Sequence, residues 1–251
     1  MRFFLEIAYR GTQYHGWQRQ PNAETVQQVV EASMSILLNE AVSIMGAGRT
    51  DTGVHAKQMY AHFDTNYKFD DASDFVFRMN AMLPKDIVIK KLFQVSDSAH
   101  SRFDAIYRTY EYWVYESKNP FLEPFAYRLK SNVDFDIMNQ AADLLLHHQD
   151  FKCFSKSNTD VSTFECNITK ANWKSHNEYS VFTITANRFL RNMVRAVVGT
   201  LLEIGQGKHP VTHLQEVLES QDRSSAGFSV PAHGLYLTEV GYPNELIKTH
   251  G

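Results

Sequence analysis

Between Arg2 and Val95 the hydrophobic pattern switches repeatedly between a period of two and a helical period, in the order βαββαβ. That succession constrains the fold more than any other feature of the chain, because a helix-period segment cannot settle as a strand or the reverse. Residues Arg2 to Tyr9 place Phe3, Leu5, Ile7 and Tyr9 on one side of an extended segment. Thr25 and Gln28 form a capping pair, and Val26, Val29, Val30, Ile36 and Leu37 give the apolar stripe of a helix running to about Asn39. Val42 to Met45 and Met59 to Phe63 read as strands. Asp71 to Leu83, with Phe75, Phe77, Met79 and Met82, reads as a helix stopped before Pro84. Ile87 to Val95 supplies a further strand. This is a split βαβ unit of the ferredoxin-like kind.

The remainder repeats the theme. Ile106 to Val114 reads as a strand whose alternation puts Arg108, Tyr110 and Tyr112 on one face, aromatic and basic together. Asp136 to His148 reads as a helix, and Thr163–Ser175 with Glu178–Ala186 as a hairpin turning at His176-Asn177. Phe189 to Ile204 reads as a helix closed by Gly205, a further helix starts from Pro210, and Leu235 to Val240 is the last strand. The expectation is an α+β chain of two ferredoxin-like (βαββαβ) halves with antiparallel sheets, residues 1–97 and 98–251. These suggest an internal duplication without a residue-level repeat, and a substrate would sit in a cleft between the halves.

Charge and composition narrow the class. With 43% hydrophobic residues the chain can build a real core. A net charge of -3 exerts no global pull on nucleic acid, so any such binding needs a local basic patch. Val181 to Leu202 supplies one, with Arg188, Arg191 and Arg195 and no acidic residue. On a helix over this stretch Arg191 and Arg195 share a face. They are either solvated surface arginines or partly buried cations that need a carboxylate, for which Asp51 is a candidate. Cys153 and Cys166 are the only cysteines, which fits buried thiols and a reducing compartment. The N-terminal residues lack the apolar core of a signal peptide and no run is long enough to span a bilayer, so the expected location is the cytoplasm, away from membranes.

The stretch Gly46-Ala-Gly-Arg49-Thr-Asp51-Thr-Gly53-Val-His55-Ala56 packs a carboxylate, a guanidinium and three glycines between apolar segments. Two readings fit it: a tight turn in which Asp51 accepts backbone N–H bonds and pairs with Arg49, or a functional loop that another molecule approaches closely. His55 could act as a general base, but its place beside Gly-Val suits a brace hydrogen-bonded to backbone. His147, His148, Cys153 and Cys166 match no known metal-ligand spacing. Phosphate-binding and dinucleotide-binding glycine signatures and the nucleophile elbow are all missing from the sequence.

Taken together, several motifs resemble one family, the TruA-type transfer-RNA pseudouridine synthases. Gly48-Arg-Thr-Asp51-Thr-Gly-Val-His-Ala resembles its catalytic loop, with Thr52 where Ala is commoner. Gly11-Thr-x-Tyr14-x-Gly16-Trp17-Gln18 resembles its N-terminal loop, with Arg10 where Asp is usual. Ser101-Arg102-Phe103-x-Ala105, Arg108-x-Tyr110-x-Tyr112, Phe189-Leu-x-x-Met-Val-Arg195 and Pro231-Ala-x-Gly-Leu-x-Leu follow in the family's order. The segment His148–Phe154 departs most from the family pattern.

The resemblance implies a pseudouridine synthase fold. It implies isomerisation of uridine in the anticodon stem-loop, at transfer-RNA positions ~38 to 40, on a base that has first left the stem. It also implies a homodimer, and neither metal nor organic cofactor. Asp51 would be the nucleophile, attacking C1′ or uracil C6, or would remove the 2′ proton to give a glycal. Arg195 would pair with Asp51 and keep it ionised. Tyr110 would stack on the uracil, Arg49 would contact the extruded base, and Arg102, Arg108 and Arg191 would contact phosphates. The competing class is a non-catalytic RNA-binding module built on the aromatic and basic strand.

Overall fold

The computed structural model describes residues 1–156 and 162–247, which divide into two compact units: residues 1–107 with the segment returning from Tyr236, and Arg108–Leu235. The first unit is built from β1 (Arg2–Tyr9), α1 (Val26–Leu38), β2 (Met45–Gly46), β3 (His55–Asp64), α2 (Ala72–Met82) and β4 (Ile87–Val95). Strand β1 lies between β4 and β3 and is antiparallel to both, with Phe3 opposite Phe63 and Phe4 opposite Phe93. Phe3, Leu5 and Ile7 are buried on one face of β1, and Phe4 and Glu6 on the other. Period-two patterning therefore identifies the strand but only one of its two covered faces.

Helix α1 starts where Thr25 Oγ1 accepts the Gln28 N–H at 3.4 Å, and it ends at Asn39 in the left-handed region. Its buried stripe is Val26, Val30, Met34 and Leu38; of the expected set Val26 and Val30 are buried, Val29 and Leu37 are half-buried, and Ile36 is 72% exposed. Ile36 lies two residues from Met34, about 200° around the helix, so the two cannot face the same core. In α2, capped by Asp71 and stopped before Pro84, Phe75 and Met79 are buried while Phe77 is 73% exposed. The expected strand at Val42–Met45 shrinks to Met45–Gly46 because its backbone is engaged elsewhere. Val42 N–H donates to Ser35 Oγ at 3.0 Å and Ile44 N–H to Glu31 Oε1 at 3.0 Å, both on α1. Strand β3 begins at His55, earlier than its apolar run suggested.

The second unit contains β5 (Tyr107–Tyr115), β6 (Tyr127–Arg128), α3 (Phe135–Asp143), β7 (Ile168–Ser175), β8 (Ser180–Ala186), α4 (Met193–Gly205) and α5 (His213–Ser220). Strand β8 is antiparallel to both β5 and β7, with Tyr110 opposite Ile184 and Trp173 opposite Phe182. Helix α3 is capped by Asp134, which accepts the N–H groups of Asp136 and Ile137, and continues as a 3₁₀ turn over Leu144–His147. The hairpin strand begins at Ile168 rather than Thr163, since Phe164 C=O and Cys166 N–H bond to Phe151 and Gln149 instead.

Two further expectations are corrected. Helix α4 starts at Met193, not Phe189, because Asn192 has φ of +68°, which no continuing helix permits. Arg191 therefore precedes the helix and shares no helical face with Arg195. Helix α5 starts at His213, three residues after Pro210, whose carbonyl accepts the His213 N–H at 3.0 Å. The chain then returns to the first unit through β9 (Leu235–Gly241), which runs parallel to β3 with Tyr236 opposite His55, and ends in the short α6 (Asn244–Ile247). Pairing is mainly antiparallel, but β3 with β9 and β5 with β6 are parallel. Among the described residues no helix is long and apolar enough to cross a membrane.

Candidate active site

The loop between β2 and β3 carries Asp51, and a second loop, Gly11 to Trp17, holds it in place. Trp17 N–H donates to Thr50 C=O at 3.2 Å, Gly53 N–H donates to Tyr14 C=O at 3.3 Å, and Tyr9 and Thr50 join their hydroxyls at 2.8 Å. Val54 N–H closes the turn onto Asp51 C=O at 3.1 Å. The partly buried Asp51 thus sits between two residues whose backbones are fixed from outside the loop. The loop is a tight turn at this point, as one of its two readings expected of the backbone.

The approach of the two loops requires glycine on the N-terminal side. A Cβ at Gly11 would lie 1.9 Å from Val54 O, and one at Gly16 would lie 2.4 Å from Thr50 O, with φ at Gly16 of +87°. Tyr14 anchors the supporting loop from behind, donating its hydroxyl to Asp86 Oδ1 at 2.7 Å. Burial and that carboxylate together push the Tyr14 phenol well above its ordinary range. His55 is buried and accepts the Gly11 N–H on Nδ1 at 3.0 Å, while its ring stacks on Tyr236 at 4.7 Å. Nδ1 acts as an acceptor here, which puts the ring proton of the neutral imidazole on Nε2. This is the bracing bond expected from its place beside Gly-Val.

Arg49 is exposed on the same loop. Arg102, also in the first unit, is exposed on the turn after β4, its guanidinium carbon 5.8 Å from the centre of the Phe103 ring.

The second unit carries the other expected residues. Tyr110, on β5, is partly buried and meets Phe189 edge-to-face at 5.0 Å. Arg108 extends a guanidinium N–H to Asn187 C=O at 2.9 Å. Arg195, in the first turn of α4, is partly buried and donates from Nε to Val230 C=O at 2.6 Å, while Val230 N–H returns to Arg195 C=O at 3.2 Å. The same segment takes the Asn192 side-chain N–H on Ser229 Oγ at 2.7 Å. Tyr112 donates its hydroxyl to Pro231 C=O at 2.8 Å, so the residue sharing a strand face with Tyr110 is a buried support. Arg191 is exposed, and its carbonyl accepts the Lys156 N–H at 3.0 Å.

Three supporting contributions escaped residue-level reading of the sequence: the Gly11–Trp17 loop as a splint, Phe189 as the edge partner of Tyr110, and Val230 as the carbonyl that orients Arg195. A spaced pair of glycines around Tyr14 was the available signal for the first; a backbone carbonyl leaves none.

The first unit thus carries Asp51 on a splinted turn, and the second carries Tyr110 on a strand and Arg195 at a helix start. A family model described as tRNA pseudouridine synthase matches residues 7–104 and 141–243. The chain belongs to that family. It is 50% identical over 248 residues to the tRNA pseudouridine synthase A of Porphyromonas gingivalis, covering 98% of each chain. The protein of the same name from Bacteroides fragilis is 46% identical over 248 residues, again 98% of each chain. That from Acetivibrio thermocellus is 40% identical over 240 residues, 95% of this chain and 98% of the other.

Proposed function

We propose that this chain isomerises uridine to pseudouridine in the anticodon stem-loop of transfer RNA, at positions ~38 to 40, where the target base must first be extruded. The observation that carries this reading is Asp51 on a turn splinted by the Gly11–Trp17 loop, in a chain that belongs to the tRNA pseudouridine synthase family. The reaction breaks the N1–C1′ bond, forms C5–C1′, removes the C5 proton and returns a proton to N1. Atoms balance with no net oxidation, so no redox partner is called for. Asp51 acts as the nucleophile, at C1′ or at uracil C6, or takes the 2′ proton in a glycal route. Tyr110 stacks on the uracil and stands to receive the C5 proton. Arg195 supplies the positive charge that keeps a catalytic carboxylate ionised. Arg49 contacts the extruded base, and Arg102, Arg108 and Arg191 contact phosphates.

The reading extends to architecture. The two halves are ferredoxin-like, residues 1–97 bringing the carboxylate and 98–251 the stacking tyrosine and the basic helix. The first unit's βαββαβ order, with β1 between β4 and β3 and β2 paired to β3, supports this. The protein works as a cytoplasmic homodimer on transfer RNA, away from membranes. Mapping pseudouridine in transfer RNA after incubation with wild-type protein and with Asp51→Ala tests the core of the reading. Pseudouridine should form with the first and vanish with the second while RNA binding persists. RNA binding without conversion by the wild type would make the protein a binding module instead.

A further inference from the structure

The turn His100–Asp104 holds an aromatic ring out in water on a densely hydrogen-bonded backbone. Phe103 is 74% exposed, and Ile106 beside it in sequence is 54% exposed. The five backbone N–H groups beneath are nonetheless all engaged. Both Arg102 N–H and Phe103 N–H point at His100 Nδ1, at 3.1 and 3.3 Å. His100 N–H donates to Asp104 Oδ2 at 2.8 Å, and Asp104 N–H donates to His100 C=O at 3.0 Å. Ser101, fully buried, donates its hydroxyl to Met45 C=O at 2.6 Å and its N–H to His62 Nδ1 at 3.2 Å, and its carbonyl accepts the Tyr242 hydroxyl at 2.5 Å. The His100 ring packs behind the Phe103 ring with centroids 4.3 Å apart.

An exposed phenyl ring held this firmly contributes little to folding, since its apolar surface stays in water. Its value lies in preorganisation for a ligand, because a rigid aromatic loses little entropy on binding. The chemistry around the ring selects the ligand. The Arg102 guanidinium lies over the ring, its carbon 5.8 Å from the centroid, and the Ser101 hydroxyl ties the turn to Met45, the residue that precedes Gly46 and the Asp51 loop. A flat apolar face with an adjacent cation matches a nucleobase and its phosphate, and such stacking accepts any base.

We infer that Phe103 and Arg102 form a stacking subsite for an unpaired nucleotide of the RNA substrate, with the base on the Phe103 ring and a phosphate at the Arg102 guanidinium. This rests on the reading of the chain as a transfer-RNA enzyme. His100 is the positioning residue: it backs the ring and holds both backbone N–H groups.

The test is equilibrium binding of an anticodon stem-loop RNA to wild-type protein, Phe103→Ala, Phe103→Trp and, as a control of equal exposure on α2, Phe77→Ala. Phe103→Ala should weaken binding about tenfold or more, as expected for loss of one base stack. Phe103→Trp should keep wild-type affinity, and the fluorescence of its added indole should be quenched as RNA binds. Phe77→Ala should bind as the wild type does. Unchanged affinity for Phe103→Ala, or an indole at 103 indifferent to RNA, overturns the inference. So does a shift of Phe103→Ala to a smaller species in sedimentation with RNA affinity retained, which would make the ring a self-association contact. Pseudouridine formation by the wild type is scored separately, so that loss of the catalytic reading is distinguishable from loss of the stacking subsite.

Discussion

Gly11 donates its backbone N–H to Nδ1 of buried His55 at 3.0 Å, tying the N-terminal loop to the residue at which the Asp51 loop enters β3. The bond needs an acceptor at 55 and close contact at 11. His55→Phe keeps a ring for stacking on Tyr236 but strands a buried N–H, which costs about 1–3 kcal/mol. Urea unfolding should show that loss, and His55→Asn, which can offer a side-chain oxygen, should recover part of it.

At Gly16 the consequences reach the carboxylate. Gly16→Ala forces a Cβ toward Thr50 O, 2.4 Å away, at a φ of +87°. Strain of this kind costs about 1–3 kcal/mol. Relief requires Thr50, the neighbour of Asp51, to move. The variant should therefore lose more pseudouridine-forming activity than its fall in Tm explains, measured at a temperature where it remains fully folded.

How much of this was readable beforehand depends on the range of the interaction. Strands β1 and β4 match their sequence limits, because period-two patterning and the residues bounding them are local signals. The cap of α1 at Thr25 was equally local. Ile36 and Phe77 misled because size and hydrophobicity say nothing of which side a helix turns to the core. The start of α4 was hidden because nothing local requires the positive φ of Asn192, whose side chain bonds Ser229, far along the chain. For the site, the residues of the Asp51 loop were legible as a motif. Its support was not, since carbonyls such as those of Tyr14, Thr50 and Val230 belong to every residue type alike.

Arg195 offers a test of orientation as against charge. Its Nε is held by Val230 C=O at 2.6 Å, which fixes the direction of the guanidinium. Arg195→Lys keeps the charge but loses the planar fork and that donor. A hydrogen bond from a charged group contributes about 1.5–3 kcal/mol, so kcat should fall about tenfold or more. Single-turnover rates with saturating transfer RNA measure this, with circular dichroism confirming an intact fold.

His62 makes stability pH-dependent. Burial, the neighbouring His100 and Arg2 push its pKa down to about 4, against the opposing pull of Asp64 and Asp104. Burial also lowers His100. The folded state thus prefers both imidazoles neutral, and the unfolded chain binds more protons below the ordinary histidine pKa of about 6.5. Stability is fully present above that value and falls as pH drops toward 4. Urea midpoints should decline from pH 7 to pH 5, and His62→Gln, which still offers an acceptor to Ser101 N–H, should flatten the decline. An unchanged slope would remove His62 as its source.

Cys153 and Cys166 are buried and unlinked, and burial pushes their thiols up to about 12 and about 11 respectively. The thiolate is the reactive form, so at neutral pH each is held back twice, by access and by protonation. A disulfide reagent should therefore label neither cysteine in the native protein on a timescale of minutes and both once the chain is unfolded in urea. The slow native rate should rise in Gly16→Ala only as far as its loss of global stability requires, because neither thiol lies in the loop that the substitution disturbs.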